Sequence, residues 1–111
     1  MNIEELRDYV LQKPSVTEGF PFDEGTLVFK VNEKIFLLTG LNSNPLQFNV
    51  KCDPDKAIEL REEYPENILP GYHMNKKHWN TIIVDGMLSS KQLKEMITDS
   101  YNLVAKTNFK P

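Results

Sequence analysis

Cysteine is nearly absent from this 111-residue chain. The single one, Cys52, cannot form an internal disulfide, and with no CxxC pair nothing suggests zinc or redox work. It falls between an apparent strand and an apparent helix start, where a buried, inert thiol is expected. Long apolar runs are also missing: none approaches the roughly 20 residues needed to span a bilayer. The opening Met1-Asn2-Ile3-Glu4-Glu5 is acidic and lacks the basic-then-apolar layout of a signal peptide, so a cytoplasmic location is expected. There is no Gly-rich phosphate loop, no zinc-protease helix motif, and no serine or cysteine in a nucleophile context. A non-enzymatic protein without a cofactor is the expectation.

What is present describes a folded protein. Hydrophobic residues make up 40% and charged residues 26%, values of a globular chain rather than a disordered one. The length suits one domain over residues 1–111. Net charge is −3, which argues against a strongly basic nucleic-acid binder. The charge is unevenly spread: −4 over residues 1–26, +2 over 27–52, −4 over 53–69 and +3 over 70–111. Such a field can steer an anion to one face without making the whole protein basic.

Asn2 and Glu5 have capping-box spacing ahead of Ile3, Leu6, Tyr9 and Val10, which recur at helical period; Pro14 ends that helix. The connector from Ser15 to Gly25 contains Phe20-Pro21-Phe22, read as an extended segment anchoring aromatics in the core. Strands over 27–31 and 34–39 flank Asn32-Glu33, a gap suited to a tight hairpin. In 46–51, Leu46, Phe48 and Val50 alternate with Gln47, Asn49 and Lys51, so one sheet face is expected to be wet. Asp53 as N-cap and Pro54 at the first helical position open a second helix with an apolar stripe of Ala57, Ile58, Leu60 and Tyr64. Residues 70–84 read as a second hairpin. Ser89 with Gln92 opens a final helix carrying Leu93, Met96, Ile97, Tyr101 and Val104. Helix, three strands, helix, hairpin, helix makes an α+β fold, an antiparallel sheet packed against helices.

The segment from Pro70 to Thr81 is chemically the most distinctive. A two-residue turn at Asn75-Lys76 sets Met74 opposite Lys77, His73 opposite His78 and Tyr72 opposite Trp79; a three-residue loop changes every pair. Lys76 and Lys77 at the tip, with Tyr72 and Trp79 nearby, offer charge to phosphates and rings to bases or sugars. His73 and His78 can supply two metal ligands, but no acid or cysteine in the segment completes a set. Catalysis by either histidine lacks a matching motif. The plain alternative makes Tyr72 and Trp79 core aromatics, the histidines hydrogen-bonded strand residues and the lysines a solvated turn.

Phe20-Pro21-Phe22, Lys51-Cys52-Asp53-Pro54 and above all Pro70-Gly71-Tyr72-His73-Met74-Asn75-Lys76-Lys77-His78-Trp79-Asn80-Thr81 resemble the MmcQ/YjbR family of small bacterial proteins, over essentially the whole chain. The resemblance implies a CyaY-like (frataxin-like) fold with a double-wing arrangement. Members of the family are described as DNA-binding, and the wings would here be Asn32-Glu33-Lys34 and Asn75-Lys76-Lys77. A frataxin-like fold also implies iron binding by acids of the first helix and adjoining strand, here Glu4, Glu5, Asp8, Asp23 and Glu24.

The expectation is therefore a monomeric binding module with double-stranded DNA as the leading partner. Lys76 and Lys77 contact phosphate, Lys34, Lys30 and Lys51 extend the basic surface, and Trp79, Tyr72, His73 and His78 shape the site. A protein- or small-ligand-binding module on the same polar sheet face, or a weak iron binder, is the alternative.

Overall fold

Capping chemistry written in the sequence starts each helix. In the computed structural model, which describes residues 1–72 and 74–108, Asn2 and Glu5 form a reciprocal capping box on α1 (Ile3–Leu11). Asp53 accepts from the Lys56 amide ahead of α2 (Pro54–Glu63). Ser89 and Gln92 form a second box on α3 (Ser90–Ala105), whose carboxyl end turns through a left-handed Lys106. These caps satisfy amides that the helix cannot satisfy itself.

Among the described residues six strands form one antiparallel sheet: β1 (Val16–Gly19), β2 (Thr26–Val31), β3 (Lys34–Gly40), β4 (Leu46–Lys51), β5 (Ile68–Pro70) and β6 (Trp79–Val84), ordered β1-β2-β3-β4-β6-β5. Asn32 and Glu33 both adopt positive φ (51° and 66°), the backbone of a tight turn whose twist matches β2 and β3. The short edge strand β1 is an addition to the expected order. Its Val-Thr-Glu-Gly sequence is too brief to announce a strand, and pairing with β2 alone defines it.

The sheet has one helix-covered face. Leu27, Phe29, Leu37, Phe48, Val50, Ile68 and Ile82 point toward α1 and α3 and form the core with Leu6, Val10, Leu93 and Ile97. The register shifts between Phe29 and Lys30, so Phe36 is an extra residue in β3. Such a bulge lets neighbouring residues turn to the same side. Phe36 and Leu37 are both fully buried, and the Phe36 ring meets Tyr101 of α3 edge-on at 5.4 Å.

β3 and β4 part at the bulged end, and α3 supplies the missing link. Ser100 Oγ donates to the Phe36 carbonyl (2.5 Å) and accepts from the Lys51 amide (2.8 Å). A completely buried serine in the middle of a helix thus replaces a rung of the ladder.

Four expectations are corrected. Phe20 and Phe22 are 50% and 65% exposed, outside the core. They follow Gly19, the last β1 residue paired with β2, and so lie beyond the paired part of the sheet. Ile58 is also exposed, because α2 buries only Ala57 fully and seats Leu60 partway. The 70–84 hairpin is shorter and differently joined. β5 ends at Pro70, β6 begins at Trp79, and the intervening loop replaces the two-residue turn. Its register also slips by one residue: Pro70 pairs with Asn80, and the Gly71 amide donates to the Trp79 carbonyl. Tyr72 therefore does not face Trp79. The physical reason is Asn75, whose carbonyl accepts from the His78 and Trp79 amides and whose side chain accepts from the Lys77 amide, coiling the chain into a helical turn.

Cys52 is buried, and burial pushes its thiol above the ordinary cysteine value, with acids at Asp99 and Asp53 adding to that and Lys56 opposing it. The thiol form therefore dominates at neutral pH. We expect iodoacetamide to label native protein slowly and urea-unfolded protein fully; equal rates in the two states would contradict this burial.

Candidate nucleic-acid interface on the uncovered sheet face

Alternation along the strands sends a second set of side chains away from the helices. Register aligns Gly19, Val28, Leu38, Asn49, Thr81 and Leu69 across the middle of this face. It is less wet than its sequence suggests: Val28, Leu38 and Thr81 are buried, while Gln47 and Asn49 are half-exposed. Thr81 Oγ1 donates to Asn49 Oδ1 (2.5 Å) and accepts from the Tyr72 amide (3.0 Å). These two bonds fold the start of the β5–β6 loop back onto the sheet.

Chain direction then gathers the basic residues. β2, β4 and β5 end, and β3 and β6 begin, at the same end of the sheet. Lys30 pairs with Ile35 and Lys51 pairs with Trp79 on the uncovered face, with Lys34 at the β2–β3 turn beside them. Lys76 and Lys77 stand exposed in the loop at this same end. Trp79 is half-buried, Tyr72 is 70% exposed, and His78 is half-buried with its carbonyl accepting from the Cys52 amide. His73 lies outside the described residues, so the expected pairing of His73 with His78 does too.

Charge is segregated between the layers. The strands carry Lys30, Lys34, Lys51 and one acid, Glu18. Glu18 is held by Arg7 in a two-point ion pair (2.5 and 2.8 Å) that lowers its carboxyl and raises the guanidinium. The helices hold most of the acids: Glu4, Glu5 and Asp8 on α1, Asp55, Glu59, Glu62 and Glu63 on α2, Glu95 and Asp99 on α3. Lys56 is committed to Asp99 (2.7 Å), which raises its ammonium. Among the described residues no ion pair engages Lys30, Lys34, Lys51, Lys76 or Lys77. A weakly paired cationic end on an otherwise acidic molecule is a surface for an anion.

Sequence reasoning missed the residue that shapes this end. Arg61, on α2, donates through Nε to Asn80 Oδ1 (2.7 Å) and through Nη2 to the carbonyls of Trp79 (3.1 Å) and Lys76. One guanidinium thereby ties the lysine loop to β6 and α2. The available signal was a lone arginine in a run of acids, Glu59-Leu60-Arg61-Glu62-Glu63, which has no local reason to be an arginine. Gly71 completes the fit, since a Cβ there would come within 2.7 Å of Trp79 Cβ.

Metal chemistry finds no comparable assembly. Among the described residues no three His, Cys, Asp or Glu side chains converge to hold a metal ion, and Glu4, Glu5, Asp8, Asp23 and Glu24 do not come together. No helix among those residues is long and apolar enough to cross a membrane.

The same architecture recurs in known proteins. The crystal structure of the Deinococcus radiodurans protein DR2400 superposes with a TM-score of 0.91 at 41% identity, covering 98% of this chain and 82% of that one. The uncharacterized protein YbdF of Escherichia coli O157:H7 is 39% identical over 101 residues, 91% of this chain and 82% of its own length. The uncharacterized protein YjbR of Escherichia coli K12 is 30% identical over 101 residues, 91% of this chain and 85% of its own length. The family model described as YjbR matches residues 11–103. With that span and those relatives, the chain belongs to the YjbR family.

Proposed function

We propose that this protein is a cytoplasmic, monomeric, non-enzymatic module that binds DNA through its phosphate backbone at the lysine-bearing end of the sheet. The observation that carries the reading is the charge segregation: Lys30, Lys34, Lys51, Lys76 and Lys77 share one end, without acid partners among the described residues, while acids crowd the helical layer. Phosphate contacts of this kind supply affinity without sequence preference. The reading takes the fold as the CyaY-like double-wing arrangement, with the Asn32-Glu33-Lys34 turn and the Asn75-Lys76-Lys77 loop as its two corners. These corners are three strand spacings apart, about 14 Å at the usual strand separation.

A salt titration tests it. If the five lysines each neutralise a phosphate, the logarithm of the binding constant falls with the logarithm of salt with a slope of about −3.5 to −4.5. Absence of binding at low salt, or binding indifferent to salt, would remove the proposal.

A further inference from the structure

We propose that the nucleic acid taken by this face is single-stranded, with bases stacked on Trp79, Tyr72 and Phe20 and phosphates following Lys51 and Lys30; the inference rests on the anion-binding reading above. Lys51 and Lys30, the two lysines paired on the uncovered face, each have an aromatic neighbour. Lys51 is paired across strands with Trp79. Lys30 lines, with Phe20, Pro21, Val28 and the Arg7-paired Glu18, an open groove of about 340 Å³ beside β1. Phe20 and Tyr72 are 50% and 70% exposed, a large apolar cost at two places flanking the same basic strip. A duplex keeps the faces of its bases stacked inside and has nothing to lay on these rings. An unpaired strand presents a π-face at every nucleotide.

The corners of the sheet point the same way. A wing that enters a duplex groove must project, but the β5–β6 loop is coiled by Asn75 and bound down by Thr81 and Arg61. The other corner presents Glu33, exposed at its tip, where a duplex would bring phosphates. The sheet face itself carries Lys30, Lys51 and Trp79 instead. From β1 to β6 it spans four strand spacings, about 19 Å. That gives room for roughly three or four nucleotides, the short end of single-strand sites.

The chain has one tryptophan, so its emission reports Trp79 alone. The experiment titrates the full chain with an oligothymidylate, with a duplex of equal length and with polyglutamate, following tryptophan emission and the anisotropy of labelled ligand. The single strand is expected to bind tighter than the duplex and to quench Trp79. Phe20→Ala and Tyr72→Ala alter exposed positions, leave the fold intact, and are expected to weaken single-strand binding at least about fivefold each. Duplex or polyglutamate binding as tight as the single strand overturns the inference. So does single-strand binding with Trp79 emission and both variants unaffected, a result that keeps the phosphate reading and removes stacking. Binding by none of the three ligands removes the underlying reading itself.

Discussion

Ser100→Ala is expected to lower the free energy of unfolding by about 2–5 kcal/mol, far more than its size suggests. The substitution suits a helix, since alanine is the better helix former. The cost arises elsewhere. Ser100 Oγ is the donor for the Phe36 carbonyl and the acceptor for the Lys51 amide, at the place where the β3 bulge draws the two strands apart. Alanine leaves both backbone groups orphaned, and a buried unsatisfied group costs about 1–3 kcal/mol. Urea denaturation reads the change as a lower midpoint at unchanged slope. A loss under about 1 kcal/mol would mean that β3 and β4 close on each other without the serine.

Arg61→Met is expected to cost about 2–4 kcal/mol and to free the lysine loop. Methionine preserves most of the stem's packing, so the effect isolates the guanidinium. That group makes three hydrogen bonds, to Asn80 Oδ1 and to the carbonyls of Trp79 and Lys76, and hydrogen bonds to charged groups are worth about 1.5–3 kcal/mol each before water compensates the exposed one. Asn80 is 1% exposed, so its amide oxygen loses a partner that solvent cannot readily replace. Hydrogen exchange should therefore rise at the Gly71 and Trp79 amides while the core strand β3 stays protected. Unchanged exchange in the loop would show that Asn75 and Thr81 hold it without Arg61.

Local chemistry was legible from the sequence; pairing across space was not. Asn2 with Glu5, Asp53 with Pro54, Ser89 with Gln92 and Asn32-Glu33 each act within four residues, and each forms the cap or turn its residue types require. The alternation in β4 also holds, because its period reports which side the core lies on. The α+β class followed from these elements. The second hairpin failed because register is set by what the loop does, and Asn75 coils a loop that the spacing alone allowed to be tight. Phe20 and Phe22 failed because aromatic character says nothing of where the strand pairing stops, and here it stops at Gly19.

The candidate site was legible in its cations and illegible in its supports. Lys30, Lys34, Lys51, Lys76 and Lys77 stood out as unbalanced charge, and chain direction brings them to one end. Arg61, Asn80, Thr81 and Ser100 act through partners 9 to 64 residues away, beyond the reach of local cap and turn patterns.

The most direct measurement compares two double variants by equilibrium binding to nucleic acid at low salt. Lys30→Ala/Lys51→Ala removes the cations of the uncovered face, and Lys91→Ala/Lys94→Ala removes two from α3, in the helical layer. The first pair is expected to weaken binding by about tenfold or more and to reduce the salt slope by about 1.4–1.8, with the second pair close to the unsubstituted protein. Equal losses in the two variants, or none in the first, would contradict a binding surface on the uncovered sheet face.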